Sequence, residues 1–408
     1  MYPWSQRVAA RLKVGRKMDN IQERDKQYIC HTYNRFPVTI VRGGGATAYD
    51  PDGKEYIDFT SGIGVNSLGF ADKGWADAVS EQAHTMQHIS NLYYSQPDSD
   101  AAQMLCEYTG FSKVFFANSG AEANECALKI ARKYGMEKHG EKCSTIITLN
   151  NSFHGRTITT LAATGQEVFH QYFLPLTEGF RYVDAGDIEG LHEALDDTVC
   201  GIMIELIQGE GGVVPVPEAF VKEIEKICRE RDLVFVVDEI QTGISRTGTF
   251  LCYEQYDVQP DVVTLAKGLG GGLPVGGILM AEKVSEVLGF GQHGSTFGGN
   301  PVACAGARYV LDKVLKSEFL DEVNKKAEYL KKKLLAIPQV TEVSGLGLMM
   351  GAELAEGYTA GEVAGKCAVE GLLVLTAKTR LRFLPPLTIT YEEIDKGIAV
   401  LERILSEK

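Results

Sequence analysis

The most chemically suggestive residues in this chain stand at the ends of two apolar runs. Leu233-Val-Phe-Val-Val ends in Asp238, with Glu239, Ile240 and Gln241 following, and Asp261-Val-Val-Thr-Leu-Ala ends in Lys267. Runs of this kind predict buried parallel strands that deliver a polar side chain at the carboxyl edge of a sheet. Ligands of open α/β sheets bind at that edge. An acid and an amine delivered there together have two readings. One is a strand-end ion pair. The other is a pyridoxal 5'-phosphate (PLP) site, in which the lysine carries the cofactor as a Schiff base and the acid keeps the pyridine nitrogen protonated. These two residues alone do not choose between them.

Other runs supply what such a cofactor needs. Lys113-Val-Phe-Phe-Ala-Asn118-Ser119-Gly120-Ala121 reads as strand, turn and helix, with Ser119 as N-cap, Arg132 and Lys133 in the last turn and Gly135 as the stop. A small-residue turn opening a helix exposes backbone N–H groups at the positive end of the dipole, which suits a phosphate; it is equally an ordinary connection. After a strand over Ser144 to Leu149 come Phe153, His154, Gly155 and Arg156, an aromatic to stack on a planar ring and an arginine to grip a carboxylate. The bland reading of that loop is a packed aromatic, and of His154 a capping or packing histidine rather than a base. The strand Gly201 to Ile207 leads to Gln208-Gly209-Glu210-Gly211-Gly212, whose glycines permit close backbone approach and aim a carboxylate; a surface loop reads the same way. Gly294-Ser295-Thr296 offers hydroxyls and N–H groups to a phosphate.

These side chains need elements to position them. A chain of 408 residues suggests two or three domains. Its net charge of −13 argues against nucleic acid or an anionic membrane as partner, so an anionic substrate needs specific arginines. Nine scattered cysteines, without a CxxC, read as reduced thiols of a cytoplasmic protein. No apolar run reaches membrane-span length. The acid-free start with Arg7, Arg11, Lys13, Arg16 and Lys17 receives no function; Met18 is an alternative start. Short strands and a hairpin at Asp52-Gly53 are predicted between Phe36 and Asp58, and a helix from Gly69 to about Met86. His84 and His88 share a helical face in that reading, but no third ligand is near and no metal is assigned. The GxGxxG match at Gly289–Gly294 lacks its strand and helix and is rejected. A lysine-rich helix over Ala303 to Leu335 follows, then a strand from Gly345 to Met350, a helix Gly361 to Glu370, strands at Leu372–Leu375 and Arg380 onward, and a last helix opened by the Thr390/Glu393 capping box.

In chain order, Ser119-Gly-Ala-Glu-Ala-Asn124, Phe153-His-Gly-Arg156, Gln208-Gly-Glu210, Asp238-Glu-Ile-Gln241, Ala266-Lys267-Gly268 and Gly294-Ser-Thr296 together resemble the class III aminotransferases, from about Phe36 to the C-terminus. The resemblance implies an α/β fold of the type I PLP-dependent transferases, with a large, mostly parallel mixed sheet and a smaller α+β domain. It places an N-terminal arm with part of the small domain at 1–65, the large PLP-binding domain at 66–305 and the C-terminal small domain at 306–408. Lys267 and Asp238 would be catalytic, Lys267 also moving the proton at the substrate carbon. Gln241 would touch the cofactor's phenolic oxygen, Phe153 would stack on its ring, and Ser119, Gly120 and Ala121 would hold its phosphate. Thr296 would reach the cofactor phosphate of a second subunit, which implies a homodimer with shared sites.

His88-Ile-Ser-Asn91, Glu210-Gly-Gly212 and Arg382-Phe-Leu-Pro-Pro386 make the chain most similar to members acting on N-acetylornithine and 2-oxoglutarate in arginine biosynthesis. Arg156 and Arg382 would bind carboxylates, Glu210 would mask Arg382 until glutamate arrives, and Ser295 and Ile63 would line the substrate site. Ornithine, succinylornithine, 4-aminobutyrate and acetyllysine are alternative donors, and a PLP isomerase or racemase is an alternative class. The chain departs from the family at Gly69-Phe-Ala-Asp72, in place of a Gly-His-x-His-Pro run, and at Leu206, where proline is usual. Arg380 shares a strand face with Arg382 and competes for its role.

Overall fold

The apolar runs assemble into a seven-stranded sheet. Its order is Lys113–Ala117, Gly276–Met280, Val262–Leu265, Val234–Asp238, Val199–Ile204, Thr145–Leu149 and Phe180–Val183. Gly276–Met280 pairs antiparallel with both neighbours, and the other pairings are parallel. Although the central strands are buried at every position, their side chains still alternate between two cores. Val234, Val236, Cys200 and Met203 join the helix Gly120–His139 on one face. Phe235, Val237, Ile202 and Ile204 join the helices Glu218–Glu230 and Pro301–Val314 on the other. Burial on both faces explains why the sequence shows runs rather than alternation. The computed structural model describes residues 21–407, so the basic N-terminal stretch and Met18 lie outside the described residues.

The two ends of the chain build further structure together. Leu372–Leu373 pairs parallel with Glu55–Asp58, completing a four-stranded sheet with Arg42–Gly44 and Thr47–Tyr49. A second four-stranded sheet contains Val340–Leu346, Met349–Leu354, Arg380–Phe383 and Leu375–Ala377. The predicted capping box forms at the start of the helix Tyr391–Ser406, and Glu393 has a second use. One of its oxygens accepts from Thr390 N and Oγ1, while the other accepts from Ala46 N at 3.1 Å and Thr47 Oγ1 at 3.0 Å. Buried Arg246 ties the large sheet to this region, donating to Leu348 O at 2.9 Å and Pro385 O at 2.6 Å. Burial pushes its pKa down to about 9 against the charge of Asp58, which leaves it cationic at neutral pH.

Several element boundaries differ from the sequence expectation. The helix expected to stop at Gly135 continues to His139 and is capped by Gly140, with φ 99°. Gly135 is instead a packing position, because a Cβ there would lie 2.3 Å from Cys200 Cβ. The strand expected over 201–207 breaks after Ile204 and resumes at Ile207–Gln208. The helix expected over 303–335 is two, divided where Lys316 turns extended at ψ 134°. The expected strand over 345–350 is the turn of a hairpin, reversing at Gly347 with φ 54°. The short strand expected at 372–375 is two, Leu372–Leu373 and Leu375–Ala377. His88 lies beyond the helix Lys73–Thr85 and so shares no helical face with His84. Asp72, part of the departure noted above, caps that helix by accepting from Trp75 N at 2.9 Å. Among the described residues no helix is long and apolar enough to cross a membrane.

Gly135→Ala should overpack the interface between helix and sheet and cost about 1–3 kcal/mol. The expected readout is a lower thermal unfolding midpoint with the far-UV circular dichroism unchanged at 25 °C.

Candidate active site

At the carboxyl edge of the sheet a cavity of about 430 Å³ opens, with Asp238, Lys267, Phe153, Arg156, Gln241 and Ser119 to Ala121 among the residues lining it. Register accounts for the central pair. Asp238 lies opposite Thr264 in the parallel ladder, and the next strand carries the chain three residues further to Lys267. Lys267 opens a 3-10 turn with φ 39°, in the left-handed region that non-glycine residues seldom occupy.

Asp238 is 3% exposed and held by three donors. Its Oδ2 accepts from Asn124 Nδ2 and His154 Nδ1, both at 2.8 Å, and Oδ1 accepts from Ile240 N at 3.0 Å. A carboxylate only accepts, so His154 carries its proton on Nδ1; Nε2 is buried with no hydrogen-bond partner among the described residues. Asn124 is oriented in turn by donating to His154 O at 2.7 Å and accepting from Thr264 Oγ1 at 2.7 Å. The bracing roles of Asn124, Thr264 and His154 are not legible in the sequence motifs; the available signal is a polar residue on the apolar face of a helix for Asn124 and one inside an apolar strand for Thr264.

Lys267 is half-buried on the cavity wall, and desolvation pushes its pKa below the ordinary lysine value, opposed by the charges of Glu210 and Asp238. Glu205, which also lines the cavity, accepts from Phe153 N at 2.8 Å and is pushed up to about 7 by burial, with His154 opposing and Asp238 adding to the rise. At the start of the helix Gly120–His139, Ser119 Oγ accepts from Glu122 N at 3.2 Å. That leaves the Gly120 and Ala121 N–H groups at the cavity wall without an intrahelical acceptor.

The two arginines differ in state. Arg382 is 4% exposed and paired with Glu210, and it also donates to Gln241 Oε1 at 3.4 Å. Burial raises the Glu210 pKa, but the charge and hydrogen bond of Arg382 outweigh it, and the net shift is downward. Glu210 is therefore ionised at neutral pH. Gly209 allows this approach, since a Cβ there would lie 2.4 Å from Gln241 Oε1. Arg156 has no carboxylate partner among the described residues, and its guanidinium lies 4.0 Å from the Phe169 ring centroid and 5.4 Å from that of Phe153. Arg380 is taken up by Glu353, Glu342 and Ser344, away from the Glu210 pair.

Ser295 Oγ accepts from Asn118 Nδ2 at 3.1 Å and Gly298 N at 2.9 Å, fixing its loop at the rim. Thr296 and Ile63 are exposed and outside the cavity lining. Ile63 lies in a turn whose four residues, Ser61 to Gly64, all have positive φ. Val65 reaches the cavity wall instead.

A large cavity with a half-buried neutralisable amine, a carboxylate at a strand end, an aromatic wall and free helix N-terminal amides is the constellation of a PLP-dependent transferase of fold type I. The chain belongs to the class-III aminotransferase family, which matches residues 28–405. It is 50% identical to the acetylornithine aminotransferase of Haemophilus ducreyi over 390 residues, covering 95% of this chain and 99% of the relative. The acetylornithine aminotransferase of Caldanaerobacter subterraneus is 49% identical over 94% of this chain and 98% of its own. Among solved structures, the ornithine aminotransferase of Toxoplasma gondii has a TM-score of 0.89 at 33% identity, covering 99% of this chain and 98% of its own. The N-acetylornithine aminotransferase of Stenotrophomonas maltophilia has a TM-score of 0.82 at 37% identity, covering 94% and 98%. The chain is an aminotransferase, its cofactor is PLP, and its substrates are an amino donor and an oxo acid.

Because burial depresses Lys267, its amine should lose its proton below the ordinary lysine pKa of 10.5 in the cofactor-free protein. Labelling by an amine-reactive reagent, followed residue by residue across pH, should give Lys267 a midpoint below those of exposed lysines.

Proposed function

We propose that this enzyme moves the terminal amino group of N-acetylornithine to 2-oxoglutarate, giving N-acetylglutamate semialdehyde and glutamate, as a step of arginine biosynthesis. The observation that carries this reading is the unequal state of the two arginines. Arg382 is masked by an ionised Glu210, whereas Arg156 has no carboxylate partner among the described residues. A donor whose one carboxylate lies far from the reacting amine needs a single free arginine. Glutamate, with carboxylates near and far, needs two. Masking Arg382 keeps it from binding the wrong end of the first substrate, and Glu210 releases it when glutamate arrives. An acylated nitrogen carries no charge, so the apolar wall of Val65 and Leu273 suits it. Ile63, at the rim in this reading, adds to that apolar side, and Ser295 orders the loop beside it.

The cofactor, when bound, supplies an electrophilic carbon for the amino group and a ring that withdraws electrons from the substrate carbon. The chain's residues do the rest. Lys267, whose pKa is lowered by desolvation, would bond to the cofactor between turnovers and otherwise carry the proton to and from the substrate carbon. Asp238, braced by Asn124 and His154, keeps the ring nitrogen protonated. Phe153 covers the ring face, Gln241 takes the phenolic oxygen, and Ser119, Gly120 and Ala121 receive the phosphate at a helix N-terminus.

The protein acts as a homodimer in the cytoplasm. Exposed Leu92, Tyr93, Tyr94, Phe290 and Phe297 support the dimer, forming apolar surface in the segments around Thr296 and its Asn91 tether. Thr296, outside its own cavity, then completes the phosphate site of the second subunit. Nine free cysteines, seven of them buried, support a reducing compartment.

Mixing the yellow holoenzyme with one donor at a time, without oxo acid, tests the donor. N-acetylornithine should bleach the cofactor absorbance fast, and ornithine and 4-aminobutyrate slowly; Glu210→Ala should shift preference toward α-amino donors by about tenfold or more. Equal rates for all donors, or an unchanged preference in the variant, would overturn the reading. For the dimer, Thr296→Ala and Lys267→Ala chains refolded together should regain activity that neither has alone, because a hybrid contains one intact site.

A further inference from the structure

Arg156 poses a physical problem. It is an exposed arginine at the cavity mouth, with no carboxylate, hydroxyl or carbonyl holding its guanidinium among the described residues. One residue along, Thr157 Oγ1 donates to Glu125 Oε1 at 2.5 Å, so that carboxylate is engaged by the hydroxyl. A long side chain with free donors samples many rotamers, and that entropy is lost on binding. Yet the guanidinium sits in a corner between two rings. The Phe153 and Phe169 centroids are 5.9 Å apart at an interplanar angle of 81°, and Arg156 lies 4.0 Å from Phe169.

We propose that Phe169 is the positioning residue for Arg156, its ring holding the guanidinium by the face so that the N–H fork stays free for the substrate carboxylate distal to the reacting amine. This rests on the reading of Arg156 given above and names what makes that arginine selective. A ring covers only a guanidinium face, whereas the donors radiate in the plane, so stacking restricts the group without using a hydrogen bond.

Phe169 is itself held firmly. It lies on the four-residue helix Glu167–His170, where buried His170 donates from Nε2 to Leu161 O at 3.0 Å and Thr164 O at 2.7 Å. The segment before it is tied to the strand-end loop that carries Phe153 and Arg156. Gly165 N donates to Ser152 Oγ at 3.0 Å, Gln166 Nε2 to Ser152 O at 2.9 Å, and Asn151 N to Gly165 O at 2.7 Å. Both rings thus hang from one frame, and the corner is set before substrate arrives.

The test uses holoenzyme and glutarate, a dicarboxylate that binds without reacting, titrated by calorimetry against wild type, Phe169→Leu and Phe169→Tyr. Loss of the ring should weaken glutarate about three- to tenfold, while tyrosine, which keeps the π face, stays within about twofold. With the donor that wild type uses, the leucine variant should raise KM far more than it lowers kcat. Its half-reaction with 1-aminopentane, which has no carboxylate, should fall much less than that with the carboxylated donor. Unchanged glutarate affinity in Phe169→Leu, or equal losses for both amines, overturns the proposal. Glutarate binding is independent of which donor the enzyme prefers, so a failed donor assignment and a failed clamp are distinguishable. Glutarate affinity unchanged in Arg156→Ala would remove the arginine's role, and the clamp with it.

Discussion

A carboxylate buried to 3% exposure at the end of a parallel strand is the constraint on which the rest of this structure depends. An ionised group there is costly unless donors replace the lost water. Three separate segments supply them: Asn124 from a helix, His154 from a strand-end loop and the Ile240 amide from the chain just beyond. Each donor brings a functional neighbour. Asn124 lies on the helix whose first amides face the cavity, and His154 stands between Phe153 and Arg156. Holding Asp238 therefore also aligns the helix N-terminus, the aromatic wall of Phe153 and the Arg156 side chain around one cavity.

The parallel ladder adds Lys267. Because Asp238 and Thr264 are in register, the next few residues of the neighbouring strand deliver an amine to the same cavity wall. Desolvation pushes the amine toward its neutral form, which the chemistry needs. The cluster gathers opposite charges within a small volume, Asp238, Glu205 and Glu210 with Lys267, Arg382 and Arg156, and of its two arginines only Arg382 has a carboxylate partner among the described residues. That asymmetry is what the proposed choice of substrate rests on.

Arg382 and Glu210 are far apart in sequence and reach one another through the second sheet. Arg382 lies in the strand that pairs with Met349–Leu354, and Arg246 ties the turn of that hairpin to the segment following Asp238. The buried Arg246 thus ties the arginine-bearing strand to the large sheet. Its donors go to two carbonyls and the Ser61 hydroxyl, with no ion pair to Arg246 among the described residues.

By itself the amino-acid sequence determined the local events. It specified the β-branched runs ending in Asp238 and Lys267, the Ser119-capped helix, the hairpin at Asp52-Gly53 and the Thr390/Glu393 box, because each depends on neighbours within a few residues. Motif order along the chain carried the family. What only the tertiary structure decided were matters of contact between distant residues. Gly135 reads as a helix stop until Cys200 is seen pressing on it, and Ala303 to Leu335 reads as one helix because its apolar spacing continues across the bend at Lys316. Arg380 and Arg382 are indistinguishable in spacing; Glu342 and Glu353 engage the first and Glu210 the second. Asn124 on a helix's apolar face and Thr264 in an apolar strand were polar marks without meaning until the fold set them behind Asp238, and Phe169 was one aromatic among many until it lay against Arg156. Propensity and capping act along the chain, whereas hydrogen bonds to a buried charge and the stacking of rings act across space, and only folding supplies those distances.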